Sequence, residues 1–60
     1  MPDMEKVKTL TSLLEERSGL DIREALARHY EFMTNEEAEN YDTELEYLLN
    51  ELDVEVELPF

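Results

Sequence analysis

Apolar residues recur every three or four positions through most of this chain. Met4, Val7, Leu10 and Leu14 follow this spacing in the first segment. Such spacing places side chains on one face of an α-helix, which has about 3.6 residues per turn. A chain of 60 residues buries only about 60% of its unfolded surface, so the apolar faces must pack on each other to give a core. The pattern therefore predicts an all-α protein.

Residues that start and end helices divide the chain at two places. Gly19 suits the end of one helix, and Asp21 suits the N-cap of the next. Thr34 and Glu37 have the spacing of a capping box. Asp42 also caps helices well, so the last helix could restart there after a short break. The predicted fold is a small three-helix bundle with helices at about 3-18, 21-33 and 35-52.

The C-terminal segment changes period. Apolar residues alternate with Glu55 and Glu57, which is typical of an extended segment. A lone strand finds no partner inside a helical domain. We expect a single helical domain at 1-53 and an extended C-terminal tail at 54-60, which is frayed, packed over the helices or paired with another chain.

One apolar face from each predicted helix forms the expected core. His29 lies at the edge of the second of these faces, where a packing role suits it better than a role as a general base. The predicted core residues are Val7, Leu10, Leu14, Ile22, Leu26, Met33, Tyr41, Leu45, Leu48 and Leu52.

Charge is unevenly distributed along the chain, whose net charge is −12. Residues 1–33 hold seven acids and five bases, whereas residues 34–60 hold ten acids and no Lys, Arg or His. Like charges at this density weaken a fold by self-repulsion. If the third helix forms, its outer face holds negatively charged side chains in fixed positions and no positive ones. Such a face predicts a basic partner.

A continuous third helix would place Glu39, Asp42 and Glu46 along one side. Acids three or four residues apart stand roughly 4.5–6 Å apart along a helix axis, and nucleic acid presents one phosphate about every 3.4 Å per strand. Tyr47 falls opposite the apolar seam and is expected to be an exposed aromatic anchor. The predicted partner-binding residues are Glu36, Glu39, Asp42, Glu44, Glu46, Tyr47, Glu51, Asp53, Glu55 and Glu57.

Catalytic and metal sites are not expected. The chain has no Cys, and His29 is its only strong nitrogen ligand for a metal. The calcium-loop spacing that begins at Asp42 lacks the required Gly, because Tyr47 occupies that position. A bundle of this size has little room for a water-excluding pocket. We therefore expect no enzyme, no catalytic residue, no cofactor and no metal.

These observations predict a small acidic binding protein, and specifically an inhibitor whose acidic C-terminal face engages a basic surface of a protein partner. Its sharpest form is a DNA-mimicking decoy of phage type that occupies the site of a nucleic-acid-binding protein. The net charge opposes direct binding to nucleic acid. No apolar run reaches the roughly 20 residues that span a membrane. We therefore expect a cytoplasmic protein that does not contact a membrane.

Two alternatives remain open at this stage. An adaptor or regulatory subunit would dock through the apolar tail 54-60 and exposed aromatics, with the charge serving only solubility. A structural homo-oligomer, for example a homodimer, would join through the seam of Leu45, Leu48 and Leu52 or through paired tails.

Overall fold

The computed structural model describes residues 1–54, of which 76% are helical and none is in a strand. The all-α class is confirmed for these residues, whereas the count of three helices is wrong. Residues 55–60 of the predicted tail lie outside the described part of the chain. The five helices are α1 (Met4–Ser18), α2 (Ile22–Ala27), α3 (His29–Phe32), α4 (Asn35–Asn40) and α5 (Asp42–Glu51).

Capping residues set several helix ends where the sequence predicts them. The Asp3 carboxylate accepts a hydrogen bond of 2.9 Å from the backbone N–H two residues on, at the start of α1. Gly19 ends α1 with φ at 69°, a left-handed conformation that costs glycine little. At the start of α4, the backbone N–H of Glu37 donates to Thr34 Oγ1 at 3.1 Å, and the backbone N–H of Thr34 donates to Glu37 Oε1 at 3.2 Å. The predicted capping box is therefore present.

The predicted helix 21-33 is two helices, because the chain leaves helical geometry at Arg28, where φ is −114° and ψ is 18°. The side chain of His29 contacts the backbone at this break. Its Nδ1 lies 2.9 Å from the carbonyl oxygen of Leu26, which in an unbroken helix would accept from the backbone N–H of Tyr30. A side chain inserted into the backbone ladder kinks a helix, here without Gly or Pro.

The predicted helix 35-52 is also divided, at Tyr41, where φ is −110° and ψ is 19°. The Tyr41 carbonyl still accepts a hydrogen bond of 2.7 Å from the backbone N–H of Leu45. Helix α5 begins at Asp42, at the restart that the sequence analysis allows, but its N-cap residue is Tyr41 and no side chain caps it. Acids before and after Tyr41 therefore belong to two different helices.

A Schellman motif ends α5. Asp53 takes a left-handed conformation with φ at 50°. The backbone N–H of Val54 donates to the carbonyl of Leu49 at 3.1 Å, and that of Asp53 makes a longer contact of 3.4 Å with the carbonyl of Asn50. Val54 packs against the core, as the motif requires of the residue after the left-handed one.

The core lies where α1 packs against α2, α3 and α5. Four predicted core residues, Ile22, Met33, Tyr41 and Leu52, are half-buried at its rim rather than within it. Helix α4 contributes no buried residue. The buried apolar residues are Val7, Leu10, Leu14, Ala25, Leu26, Leu45 and Leu48, of which only Ala25 is absent from the predicted set.

None of the helices within residues 1–54 combines the length and the apolar composition that a membrane crossing requires.

Candidate functional site

Six acidic side chains between residues 34 and 54 are exposed, of which five lie on α4 and α5 and one lies just after α5. Within residues 1–54, the ion pairs are Lys6–Glu44 and Arg17–Glu37, so none of the six has a basic partner in the described chain. No Lys, Arg or His lies between residues 34 and 54. We call this set the exposed acids: Glu36, Glu39, Asp42, Glu46, Glu51 and Asp53.

Glu44 is a correction to the predicted binding set. Only 3% of its surface is exposed, so it does not belong to the exposed acidic face that the sequence predicts. It stands four residues before Leu48 and therefore shares the core-facing side of α5. Its carboxylate lies 4.0 Å from the Nζ of Lys6 on α1. Glu44 is therefore not part of the exposed acidic surface.

Tyr47 is half-buried and packs against the core cluster, so it is not the exposed anchor that the sequence analysis expects. The exposed aromatic beside the acids is Tyr30, whose exposed fraction is 50%. Because the break at Arg28 reorients the residues of α3, helical periodicity could not assign Tyr30 to this surface.

Glu37 serves the fold. Arg17 Nη1 donates to Glu37 Oε1 at 2.9 Å and to the carbonyl of Phe32 at 3.0 Å, which ties the end of α1 to the start of α4. This hydrogen bond from Arg17 is the main reason why the pKa of Glu37 lies below its ordinary value, and the backbone N–H of Thr34 lowers it further. Both interactions favour the charged carboxylate.

A groove brings two of the exposed acids together with residues of α3. Its volume is about 360 Å³, and it continues into a depression of about 320 Å³ that reaches Met33 and Asn35. We call it the α3–α4 groove. It is lined by His29, Tyr30, Ala38, Glu39, Asp42 and Leu45. The break at Tyr41 thus leaves Glu39 and Asp42 on different helices but on the same groove.

His29 is 6% exposed and directs one ring nitrogen into the fold. A carbonyl oxygen only accepts hydrogen bonds, so the contact with Leu26 requires Nδ1 to carry a proton. Nε2 of the neutral ring is then an acceptor, and it has no hydrogen-bond partner within the described residues. No fully buried side-chain nitrogen or oxygen in that part of the chain lacks a partner, so Nε2 is accessible to solvent, and His29 is one of the residues that line the groove.

The polar chemistry of the groove is dominated by acceptors. Glu39 and Asp42 contribute carboxylates, His29 contributes Nε2, and the Tyr30 ring lies 3.9 Å from the His29 ring at 36°. Among residues 1–54, no three metal-ligating side chains are close enough to hold an ion. A larger depression on α1, of about 460 Å³, carries both Glu16 and Arg17 and so has no single sign of charge.

Glu55 and Glu57 of the predicted binding set lie outside the described residues. Comparisons of the chain with protein-family models, curated proteins and solved structures gave no match.

Proposed function

We propose that this chain is a non-enzymatic binding protein, acting as an inhibitor, whose exposed acids engage a basic surface of a protein partner. One observation carries the proposal: the exposed acids lie on α4, on α5 or just after α5, and have no basic partner in the described chain. Glu37 and Glu44, by contrast, pair with bases of α1. This leaves residues 34–54 with six exposed carboxylates and no Lys, Arg or His, which supports the proposal of a basic partner.

Fixed carboxylates bind better than flexible ones at equal charge. A carboxylate on a helix loses little conformational freedom when a partner docks, whereas a disordered tail must be ordered at that moment. Complementary charge also steers the encounter and raises the association rate. Helices α4 and α5 provide such a scaffold through the capping box at Thr34 and the burial of Leu45 and Leu48.

The sharpest form of the proposal is a DNA mimic. The carboxylates would take the places of phosphates on a nucleic-acid-binding protein. The pairs Glu36–Glu39 on α4 and Asp42–Glu46 on α5 stand roughly 4.5–6 Å apart along their own helix axes, which is comparable to the spacing of a phosphate backbone. Short duplex DNA should then compete with this chain for the partner. A partner that binds the chain and duplex DNA simultaneously would contradict the DNA-mimic form and leave the broader proposal standing.

Charge-matched variants test the broader proposal. One carries Glu36→Gln, Glu39→Gln and Glu46→Gln, and its control carries Glu5→Gln, Glu15→Gln and Glu16→Gln on α1. Both remove three exposed negative charges, so total charge is the same. Proteins captured from lysate by the wild-type chain are purified, and their affinity for each variant is measured.

The first variant should bind about tenfold more weakly than the wild type, since three lost charge pairs at roughly 0.5 kcal/mol each amount to about one order of magnitude. The α1 control should stay within about twofold. Equal losses in the two variants would show that total charge, rather than the surface of α4 and α5, determines binding, and would overturn the proposal.

A further inference from the structure

We infer that the α3–α4 groove binds an arginine side chain of the basic partner, an inference that rests on the proposed function. The groove adds two features to the exposed acids: an aromatic ring and a largely buried imidazole with one free nitrogen. These features specify which kind of positive charge the surface accepts.

The hydrogen-bond acceptors of the groove suit a ligand that carries several hydrogen-bond donors. Glu39 and Asp42 accept hydrogen bonds only, and Nε2 of His29 accepts one when the ring is neutral. The Nδ1 contact with Leu26 at 2.9 Å fixes this tautomer. An anionic ligand would be repelled by both carboxylates, and a metal ion lacks a set of three ligands within residues 1–54. A cationic side chain can donate hydrogen bonds to these acceptors and is attracted by both carboxylates.

Tyr30 favours arginine over lysine. Half of its surface is exposed, and the His29 ring, with its centroid 3.9 Å away, restrains it. A planar guanidinium stacks on an aromatic ring and donates through five N–H groups, whereas an ammonium is compact, strongly hydrated and has three donors. Stacking on Tyr30 while donating to Glu39 and Asp42 therefore suits a guanidinium better.

Two peptides of equal charge, hexa-arginine and hexalysine, test the inference on the full chain at low salt. The wild type should bind hexa-arginine about fivefold more tightly, as expected for a cation–π contact at a half-exposed ring. Tyr30→Ala should reduce this preference to about twofold or less. Tyr30→Phe should retain it, because the ring remains, and it tests the inference even if Tyr30→Ala fails to fold.

Glu39→Gln and its matched control Glu36→Gln complete the test, since both change one exposed residue of α4 and only Glu39 lines the groove. Glu39→Gln should weaken hexa-arginine binding at least about twofold more than Glu36→Gln does. If the wild type binds the two peptides equally, or if these two variants behave alike, the arginine inference fails while the proposed function stands. If neither peptide binds even at low salt, the proposed function itself fails.

Discussion

The ion pair between Arg17 and Glu37 makes one contribution to stability depend on pH. The pKa of Glu37 lies below its ordinary value of 4.5, mainly because Arg17 donates a hydrogen bond to the carboxylate. A group whose pKa is lower in the folded state stabilises the fold above its unfolded pKa, and the contribution is lost as pH falls through the folded pKa. Stability from Glu37 is therefore present at neutral pH and lost in acid.

We expect Glu37→Gln to lower the free energy of unfolding at pH 7, and we expect this difference from the wild type to disappear below the ordinary carboxyl range. Urea unfolding of both proteins from pH 7 to about pH 3 measures it. Glu36→Gln is the control, since it removes the same charge from a side chain with no ion pair in the described chain. A Glu37→Gln difference that grows on acidification would contradict this account.

The contact between Lys6 and the buried Glu44 predicts that two neighbouring lysines are not equivalent. Lys6→Ala leaves Glu44 buried without its cation, which should cost roughly 1 kcal/mol, reduced by the solvent that reaches half-exposed Lys6. Lys8→Ala removes the same charge from an exposed residue and should cost less than about 0.5 kcal/mol. Equal unfolding free energies for the two variants would mean that the contact contributes nothing.

Among single residues, sequence reasoning expected exposure correctly for the six exposed acids and wrongly for Glu44 and Tyr47. Counting residues along one helix cannot show that α1 offers Lys6 to the side of α5 that also carries Leu48. Nor can it show which aromatic remains exposed, because that depends on how α3 turns after the break at Arg28. These assignments depend on contacts between elements.

Among helices and their ends, Asp53 offers a direct test of the Schellman motif. A left-handed conformation is strained for a residue with a Cβ, and glycine avoids this cost. Asp53→Gly should therefore raise the free energy of unfolding by roughly 0.5–1 kcal/mol, whereas Asp53→Ala should lower it. Both remove the same charge, so their difference isolates the backbone effect in chemical denaturation. Indistinguishable stabilities would exclude a left-handed residue 53 in solution.

Helix ends were predictable where a capping side chain marks them, as at Asp3, Gly19 and Thr34. The break at Tyr41 carried only the weak signal of Asp42 after it. The break at Arg28 carried no signal, because neither Gly nor Pro stands there, and the contact of His29 with a backbone carbonyl at the break cannot be predicted from periodicity. Periodicity therefore gave the helical class but overestimated helix length.

For the molecule as a whole, stability depends on a small core. Leu26 is fully buried, so Leu26→Ala should cost about 2–5 kcal/mol. A chain of 60 residues has a total stability of only about 3–9 kcal/mol, so the variant loses a large share of it and should melt at a clearly lower temperature than the wild type. Leu20→Ala is the matched control at a half-buried leucine outside the core cluster and should remain folded. Circular dichroism melting compares them, and similar melting temperatures would contradict the assigned core.

The net charge predicts opposite effects of salt on folding and on binding. Screening relieves self-repulsion within a chain of charge −12, so the melting temperature should rise between about 20 and 300 mM salt. The same screening should weaken attachment to a basic partner. Thermal melts and affinities measured across one salt series test this pair of trends. Affinity that is independent of salt would contradict an electrostatic interface.

The central claim is that the exposed acids of α4 and α5, and not net charge alone, form the binding surface. Titration of the ¹⁵N-labelled chain with hexa-arginine, followed by NMR at low salt, locates contacts residue by residue. The account predicts chemical-shift changes concentrated at Tyr30 and across residues 36–46, with little change at Glu5, Glu15 and Glu16 of α1. Changes at the three α1 acids that are as large as those at the exposed acids of α4 and α5 would contradict it.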